Sequence, residues 1–159
     1  MSTDLIRTGA KRGWGNVRVS SAEQFEHVSS IVAQCSYNIS VADRKGIDLG
    51  APRLMPVAAN DGTIVEVEAR ERVIFEAISA YGVEFLQRPM ATQLYDHLQD
   101  GDHLLFAKMD RAFRDTSDTL NSTKRIIGKG VNVYFLDMSD EPYRDSAMFE
   151  FQLTLAAAI

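Results

Sequence analysis

The sequence contains very few of the residues that form disulfides or bind metals. Its 159 residues include one cysteine, Cys35, and three histidines. A lone thiol cannot form an internal disulfide, which fits a reducing compartment, and its helical spacing favours a buried core residue over a nucleophile. His27, His97 and His103 have no metal-ligand spacing. We therefore predict no metal site, and we expect the histidines to be structural or to lie on the surface.

Long apolar segments and an excess of positive charge are also absent. No apolar run approaches the ~18 residues that span a membrane, and residues 1–13 lack the apolar core of a signal peptide. We expect a cytoplasmic protein with no membrane contact, in which residues 1–13 are a flexible leader. The net charge of −5 argues against a domain coated in positive charge, so any contact with nucleic acid must be local.

The remaining pattern predicts one α/β domain with a mostly parallel sheet, because strand and helix signals alternate. Residues 47–67 contain two prolines and the turn signal Asn60-Asp61-Gly62, which indicates a hairpin or an irregular excursion. Pro89 suits a helical first turn, and Gly46 and Gly101 suit helix ends. Strands are predicted at 15–21, 103–109 and 131–138, and helices at 22–46, 66–82, 89–101, 115–130 and 146–159.

Two of these strands are followed by residues that suit an anion. Ligands of such sheets gather outside the carboxyl ends of the strands. Arg18 and Ser20 end one strand, while Arg111 and Arg114 follow another, three residues apart. Guanidinium groups can grip a phosphate with two parallel hydrogen bonds. From the segment AKMDRAFRD alone, a solvated helix start with ordinary surface charge explains the arginines equally well.

Several segments, taken in order, resemble the serine recombinases, the family of resolvases and invertases. VRVSSAEQ resembles their opening strand, residues 78–120 resemble their middle with its Arg-Pro, Gly-Asp and Asp-Arg-x-x-Arg motifs, and GKGVNVYFLDM resembles the next strand. The resemblance covers most of residues 14–159 and implies a resolvase-like catalytic domain with the start of a C-terminal helix. Asn16 replaces the usual tyrosine, and residues of about 50–75 look like an insertion. A C-terminal DNA-binding domain is expected to be absent from this chain.

The resemblance implies that Ser20 attacks a DNA phosphodiester, gives a 5′-phosphoserine intermediate and needs no metal or ATP. Local sequence alone favours a helix cap at Ser20, and Ser21 offers the same hydroxyl, but the family's Arg-Val-Ser register selects Ser20 as the nucleophile. No histidine is well placed as a base, so catalysis must rely on positive charge. The family's arginine set matches Arg18, Arg88, Arg111 and Arg114.

Further residues match supporting positions of the family, each with an ordinary structural alternative. Asp110 either orients an arginine or caps the turn that follows it. Gln24 and Gln34 match glutamines near the site, although isolated glutamines usually lie on solvated helix faces. Ser79 matches the small residue of a loop before Arg88, and Lys108 is a phosphate contact at the rim or a surface charge.

The resemblance also implies partners: double-stranded DNA, and a homodimer that assembles into a tetramer on it. It points to a bacterial, phage or mobile-element protein. One alternative is a non-catalytic DNA-complex assembly module on the same fold, which Asn16 and the insertion motivate. Another is an unrelated phosphate-binding α/β domain, although the sequence has no glycine-rich phosphate loop.

Overall fold

The computed structural model describes residues 11–18, 27–59, 61–76, 83–143 and 154–155. A central sheet and a separate hairpin account for the strands, and helices flank the sheet. The strands are β1 (Lys11–Arg18), β2 (Ile47–Asp48), β3 (Pro52–Ala58), β4 (Ile64–Arg70), β5 (Val73–Glu76), β6 (His103–Phe106) and β7 (Asn132–Phe135). The helices are α1 (His27–Lys45), α2 (Pro89–His97), α3 (Met109–Ala112) and α4 (Thr116–Ile127), with a 3₁₀ turn at Phe85–Gln87.

All strand pairs of the central sheet are parallel, which confirms the predicted fold class. β1 lies inside the sheet, with β6 and then β7 on one side. On its other side, β2 pairs with the start of β1 and β5 pairs with its end. Parallel strands need crossover connections, which here are supplied mainly by the helices.

Helices cover both faces of the sheet, so the core has two layers. Side chains of successive strand residues point to opposite faces, and β6 shows this clearly. Leu105 packs with Ile31 and Cys35 of α1, whereas Leu104 and Phe106 pack in the other layer. That second layer also holds apolar residues of α2 and α4. The Cys35 thiol is fully buried, which confirms the predicted core position, and burial raises its pKa to about 11.

The segment from β3 to β4 is an antiparallel hairpin, the first of the two alternatives that the sequence left open. Its turn includes Gly62 at φ +88, a conformation that costs glycine little. β2 and β5 pair with the same edge of β1, one after the other. The hairpin of β3 and β4 lies between them in the sequence and separates two strands that could otherwise form one. We propose that this interruption is the insertion expected near residues 50–75.

Arg72 fills the gap between β2 and β5. Its guanidinium Nε donates to the carbonyl oxygen of Gly13 at 3.0 Å, and its Nη2 donates to that of Asp48 at 2.7 Å. Its own backbone carbonyl accepts from Gly15 N at 2.9 Å. Arg72 therefore satisfies backbone groups of Gly13, Gly15 and Asp48 in the interval where β2 has ended and β5 has not yet begun.

The helix predicted over residues 66–82 is wrong for residues 66–76, and residues 77–82 lie outside the described residues. Residues up to Arg70 form β4 and residues Val73–Glu76 form β5. In β4 the buried residues are Val67 and Ala69, and their neighbours on the strand point outward, which is a period of two rather than 3.6. The spacing of Val67 and Ile74 imitated a helical face by coincidence.

Other predicted boundaries agree more closely. α1 ends before Gly46, which has φ +71, and Pro89 occupies the first turn of α2. α2 ends at His97, four residues before the predicted stop at Gly101. β1 begins at Lys11, so residues 11–13 belong to the sheet rather than to the predicted leader. Among the described residues, no helix has the length and apolar character needed to traverse a lipid bilayer.

Candidate active site

The carboxyl ends of the parallel strands lie at one edge of the sheet, where the described part of the predicted site is found. Arg18 is the last residue of β1, and its register partner on β5 is Glu76. Neighbouring strands lie about 4.8 Å apart, so these two residues are adjacent. The predicted nucleophile Ser20 follows Arg18 by two residues and lies outside the described residues, as does Gln24.

Gln34 of α1 holds the backbone of Arg18 at this edge. Its Oε1 accepts from Arg18 N at 3.2 Å, and its Nε2 donates to Arg18 O at 3.1 Å and to Ser30 Oγ at 3.1 Å. Gln34 and Arg18 are both buried. The glutamine amide therefore pairs with the last residue of β1 as a neighbouring strand would, and it fixes the backbone at the end of that strand.

Arg88 is held in the core rather than at the surface. It lies between the 3₁₀ turn and α2, and its side chain is 0% exposed. Its Nη1 lies 3.5 Å from Glu76 Oε1. That oxygen also accepts a hydrogen bond from Asn16 Nδ2 at 3.1 Å. Asn16, which stands where the resembling family has tyrosine, thus belongs to a buried row of Asn16, Glu76 and Arg88.

The Arg88 guanidinium is fully buried, which is unusual for a charged group. Burial lowers the pKa of Arg88, while the charges of Glu76 and Asp118 act in the opposite direction. The group also lies over the Phe85 ring, 5.4 Å from its centroid. Within the described part of the chain, none of its three nitrogens has a hydrogen-bond partner at normal distance. Such a buried donor set has a strong residual demand for an anion.

Asp118 of α4 connects the segments around Arg88. Its carboxylate accepts from the backbone N–H of Phe85 at 3.0 Å, from that of Arg114 at 2.7 Å and from the hydroxyl of Ser122 at 2.8 Å. Asp118 is buried, so each of these hydrogen bonds is shielded from water. One carboxylate thus fixes the 3₁₀ turn before Arg88 and the backbone of Arg114.

Arg114 is half-buried, and its guanidinium is engaged by carboxylates. Its Nη2 lies 3.3 Å from Glu84 Oε1, and its Nε lies 3.2 Å from Asp115 Oδ2. Both acidic partners are about half exposed. Because exposed ion pairs of this kind are weak, Arg114 can exchange these partners for a phosphate at little cost.

The segment after β6 contributes the other predicted residues. Lys108 is exposed and precedes α3, and the N–H of Met109 donates to the Asp137 carboxylate after β7. Asp110 and Arg111 lie on α3, but their side chains, like the whole of Ser79, lie outside the described part. The backbone therefore places this segment at the same edge as Arg18.

Sequence reasoning missed two carboxylates of this edge. Asp118 carried a signal, because Asp115 and Asp118 have the spacing of a capping box, and Asp115 Oδ1 does accept from Asp118 N at 2.8 Å. Glu76 carried none, since the helix predicted there left it without an assigned place. No group of three or more metal-ligating side chains occurs among the described residues.

Comparison with known proteins identifies the domain. Residues 58–159, more than half of the chain, match the family model described as Resolvase, N terminal domain. The chain belongs to the resolvase family. The fold of this resolvase domain is also similar to the crystal structure of the N-terminal catalytic domain of TP901-1 integrase, with 19% sequence identity and a TM-score of 0.55. That likeness covers 93% of this chain and 92% of the other. No curated protein matches the sequence.

The family match divides the candidate site. It includes Arg88, Arg111 and Arg114, which the sequence predicted from the family's motifs. It does not include Arg18, Ser20, Gln24 or Gln34, which precede residue 58. The first part of the site therefore depends on the VRVSS motif and on the position of β1 in the sheet.

Proposed function

We propose that this domain is the catalytic part of a site-specific DNA recombinase, with Ser20 as nucleophile. The observation that carries the proposal is that Glu76 pairs with Arg88 and is also the register partner of Arg18, on the carboxyl edge of a resolvase-family sheet. β1 leaves this edge toward Ser20, and the segment bearing Arg111 and Arg114 leaves it from β6. A phosphodiester docked there would meet a hydroxyl and several guanidinium groups together.

The proposed reaction is a transesterification in which bonds are exchanged one for one. The Oγ–P bond to Ser20 forms as the bond from phosphorus to the 3′ oxygen breaks. The serine hydroxyl loses a proton, and the leaving 3′ oxygen gains one. Because the phosphate stays esterified to the protein, a 3′-hydroxyl of the exchanged strand can attack it in reverse. Neither a metal nor ATP is needed, because the ester between the phosphate and the protein conserves the free energy of the broken phosphodiester bond.

Arginines supply the stabilisation in this scheme. Arg18, Arg88, Arg111 and Arg114 surround the pentavalent phosphorus and neutralise its developing charge. Preorganised donors of this kind are each worth about 2.7–4 kcal/mol when removed. Since Arg88 is enclosed with Glu76 in this structure, we infer that it reaches the DNA by exchanging that carboxylate for the phosphate.

The supporting residues have positioning and binding roles in the same scheme. Gln34 fixes the backbone beside the nucleophile, and Asp118 fixes the backbone of Arg114. We propose that Asp110 orients an arginine. Gln24, Ser79 and Lys108 are proposed to contact the DNA backbone. The partner is double-stranded DNA, bound by a homodimer that pairs into a tetramer, and the net charge of −5 leaves most phosphate contacts to another part of the protein.

A suicide substrate tests the proposal. The full-length protein is incubated with nicked duplex DNA carrying its site, and covalent protein–DNA adducts are separated by denaturing electrophoresis. We expect an adduct with the unaltered protein and with Ser21→Ala, and none with Ser20→Ala. An adduct that survives Ser20→Ala contradicts the proposal. Site-specific binding without any adduct favours the assembly module instead.

A further inference from the structure

A second polar pocket lies at the opposite edge of the sheet, where the strands begin. Its volume is about 460 Å³, and it is lined by Lys11 at the start of β1, His103 at the start of β6 and Tyr134 on β7. Lys45, at the end of α1, also lines the pocket. β1 has eight residues, each rising about 3.3 Å, so the pocket is roughly 23 Å from Arg18. It is therefore separate from the proposed active site.

The pocket presents hydrogen-bond donors from three strands and a helix. Lys11 is exposed, and the Lys45 side chain is 22% exposed, so both ammonium groups can reach a ligand. His103 is buried, and its Nδ1 lies 2.8 Å from the Tyr134 hydroxyl. We assign the tautomer in which that hydroxyl donates to Nδ1, so that the neutral ring carries its proton on Nε2. Among the described residues, Nε2 has no hydrogen-bond partner, so it is available to a ligand.

The charge around this pocket is positive, in contrast to the acidic chain as a whole. Burial lowers the pKa of His103, and the charges of Lys11 and Lys45 lower it further, while Asp102 acts in the opposite direction. Asp102 is already neutralised by a bidentate ion pair with Arg12. The only carboxylate among the lining residues is Glu141, whose Oε1 lies 3.9 Å from Lys45 Nζ and whose side chain is 73% exposed.

We propose that this pocket binds a phosphate group, held by Lys11, Lys45 and the imidazole of His103. Two ammonium groups and a ring N–H, backed by a hydroxyl, are the donor types that a phosphate accepts from. The phosphate belongs to a DNA backbone or to a free phosphorylated molecule. This inference goes beyond the proposed recombinase activity, because it involves neither Ser20 nor the arginines of the opposite edge.

Binding of a phosphate in the pocket should favour protonation of His103. A bound dianion offsets the two lysines that disfavour the imidazolium, so the charged form of His103 becomes easier to reach. The groups that face the ring are Lys11 on β1, Lys45 on α1, Tyr134 on β7 and Asp102 before β6. An anion of constant charge should therefore bind more tightly as the pH falls through the histidine range.

Histidine NMR tests the site directly. The ¹³C-labelled imidazole of His103 is followed while the full-length protein is titrated with inorganic phosphate, and then with short duplex DNA. We expect a saturable shift with phosphate and a loss of affinity of about tenfold or more in Lys11→Gln/Lys45→Gln. The control Lys124→Gln/Arg125→Gln removes two exposed charges from α4 and should leave the affinity unchanged.

The responses to the two ligands distinguish the two sources of the phosphate. A shift with both ligands identifies the DNA backbone as the source, and a shift with phosphate alone identifies a small molecule. No saturable shift, or an equal shift in the lysine double variant, overturns the site. Sulfate, whose charge is constant, should bind more tightly at about pH 6 than at about pH 8, and equal affinities contradict the role of His103. A protein that lacks recombinase activity but still shows these shifts refutes only the proposed function.

Discussion

Arg88 Nη1 lies 3.5 Å from Glu76 Oε1, and the two side chains are 0% and 1% exposed. This ion pair lies where β5 ends, beside the last residue of β1. A buried carboxylate thus occupies the position at which the proposed reaction needs a phosphate. The pair therefore has two consequences, one for stability and one for the access of DNA to Arg88.

Removing the charge of Glu76 should destabilise the domain. Glu76→Gln keeps the shape and an acceptor for Asn16 but removes the nearest counter-ion of the buried Arg88 guanidinium and leaves only the charge of Asp118. Breaking a buried ion pair on one side costs on the order of 3 kcal/mol. Urea unfolding of the unaltered and variant proteins measures the change in the free energy of unfolding.

Glu84→Gln is the matched control for this measurement. Glu84 also pairs with an arginine, Arg114, but its side chain is 46% exposed. Exposed pairs of this kind are worth about 1 kcal/mol or less. Equal losses of unfolding free energy in the two variants would contradict the burial of the Arg88–Glu76 pair.

Gln34 should act as a positioning residue for the proposed cleavage. Gln34→Leu removes the hydrogen bonds to both backbone groups of Arg18, which costs about 1–3 kcal/mol of stability. It should also lower the rate of adduct formation while the affinity for DNA stays unchanged. Gln34→Glu keeps the acceptor for Arg18 N and should recover part of that rate.

Gln93→Leu serves as the control for Gln34, because Gln93 is exposed on α2. It should alter neither stability nor rate. A Gln34→Leu protein that loses stability but cleaves at the normal rate, measured where it is fully folded, would limit Gln34 to a structural role.

Asp118 should matter more for stability than the adjacent helix cap. Asp118→Asn replaces a buried carboxylate that accepts from Phe85, Arg114 and Ser122, and the loss of a charged acceptor should cost on the order of 2–3 kcal/mol. Asp115→Ala removes the N-cap of α4 and a half-exposed ion pair with Arg114, and it should cost about 1 kcal/mol. Thermal unfolding of the two variants checks the order, and the reverse order contradicts it.

Asp102 should make the stability of the domain depend on pH in the acid range. Although burial raises the pKa of Asp102, hydrogen bonds from Arg12 and the Gln99 backbone, with the charge of Arg12, leave it below its usual value of 3.8. Between the Asp102 pKa of the folded protein and the higher pKa of the unfolded chain, the unfolded chain binds more protons. The contribution of Asp102 to stability is therefore fully present above the unfolded pKa and is lost as the pH falls through the folded pKa.

The comparison of unaltered protein with Asp102→Asn isolates this contribution. The difference in unfolding free energy should be constant near neutral pH and shrink as the pH falls below about 4. Urea unfolding at a series of pH values measures it. A difference that does not change with pH would mean that the Arg12 contact does not shift the Asp102 titration.

Much of the fold could be predicted from the sequence because its signals are local. The apolar run at 103–109 and the Asp115 cap each specify an element without reference to distant residues, and the structure has both. The region 66–76 could not be predicted, because its strands depend on pairing with β3 and β1 far along the chain. Local spacing alone imitated a helix there.

The candidate site divides in the same way. Arg18 and Arg88 could be singled out from motifs, and the structure brings both to one edge. That Arg88 is enclosed with Glu76 depends on the contact between the end of β5 and the residue before α2, which no local pattern encodes. The positions of Ser20, Gln24 and Ser79 and of the Asp110 and Arg111 side chains stay predictions.

Peptide mapping of the covalent adduct is the most direct test of the central claim. The adduct formed on a suicide substrate is digested with nuclease and protease, and tandem mass spectrometry locates the residual nucleotide on the peptide. The account predicts a 5′-phosphate ester on Ser20, together with a free DNA 3′-hydroxyl that a polymerase can extend. A nucleotide on Ser21 or on any other residue, or a 3′-phosphate linkage, would contradict it.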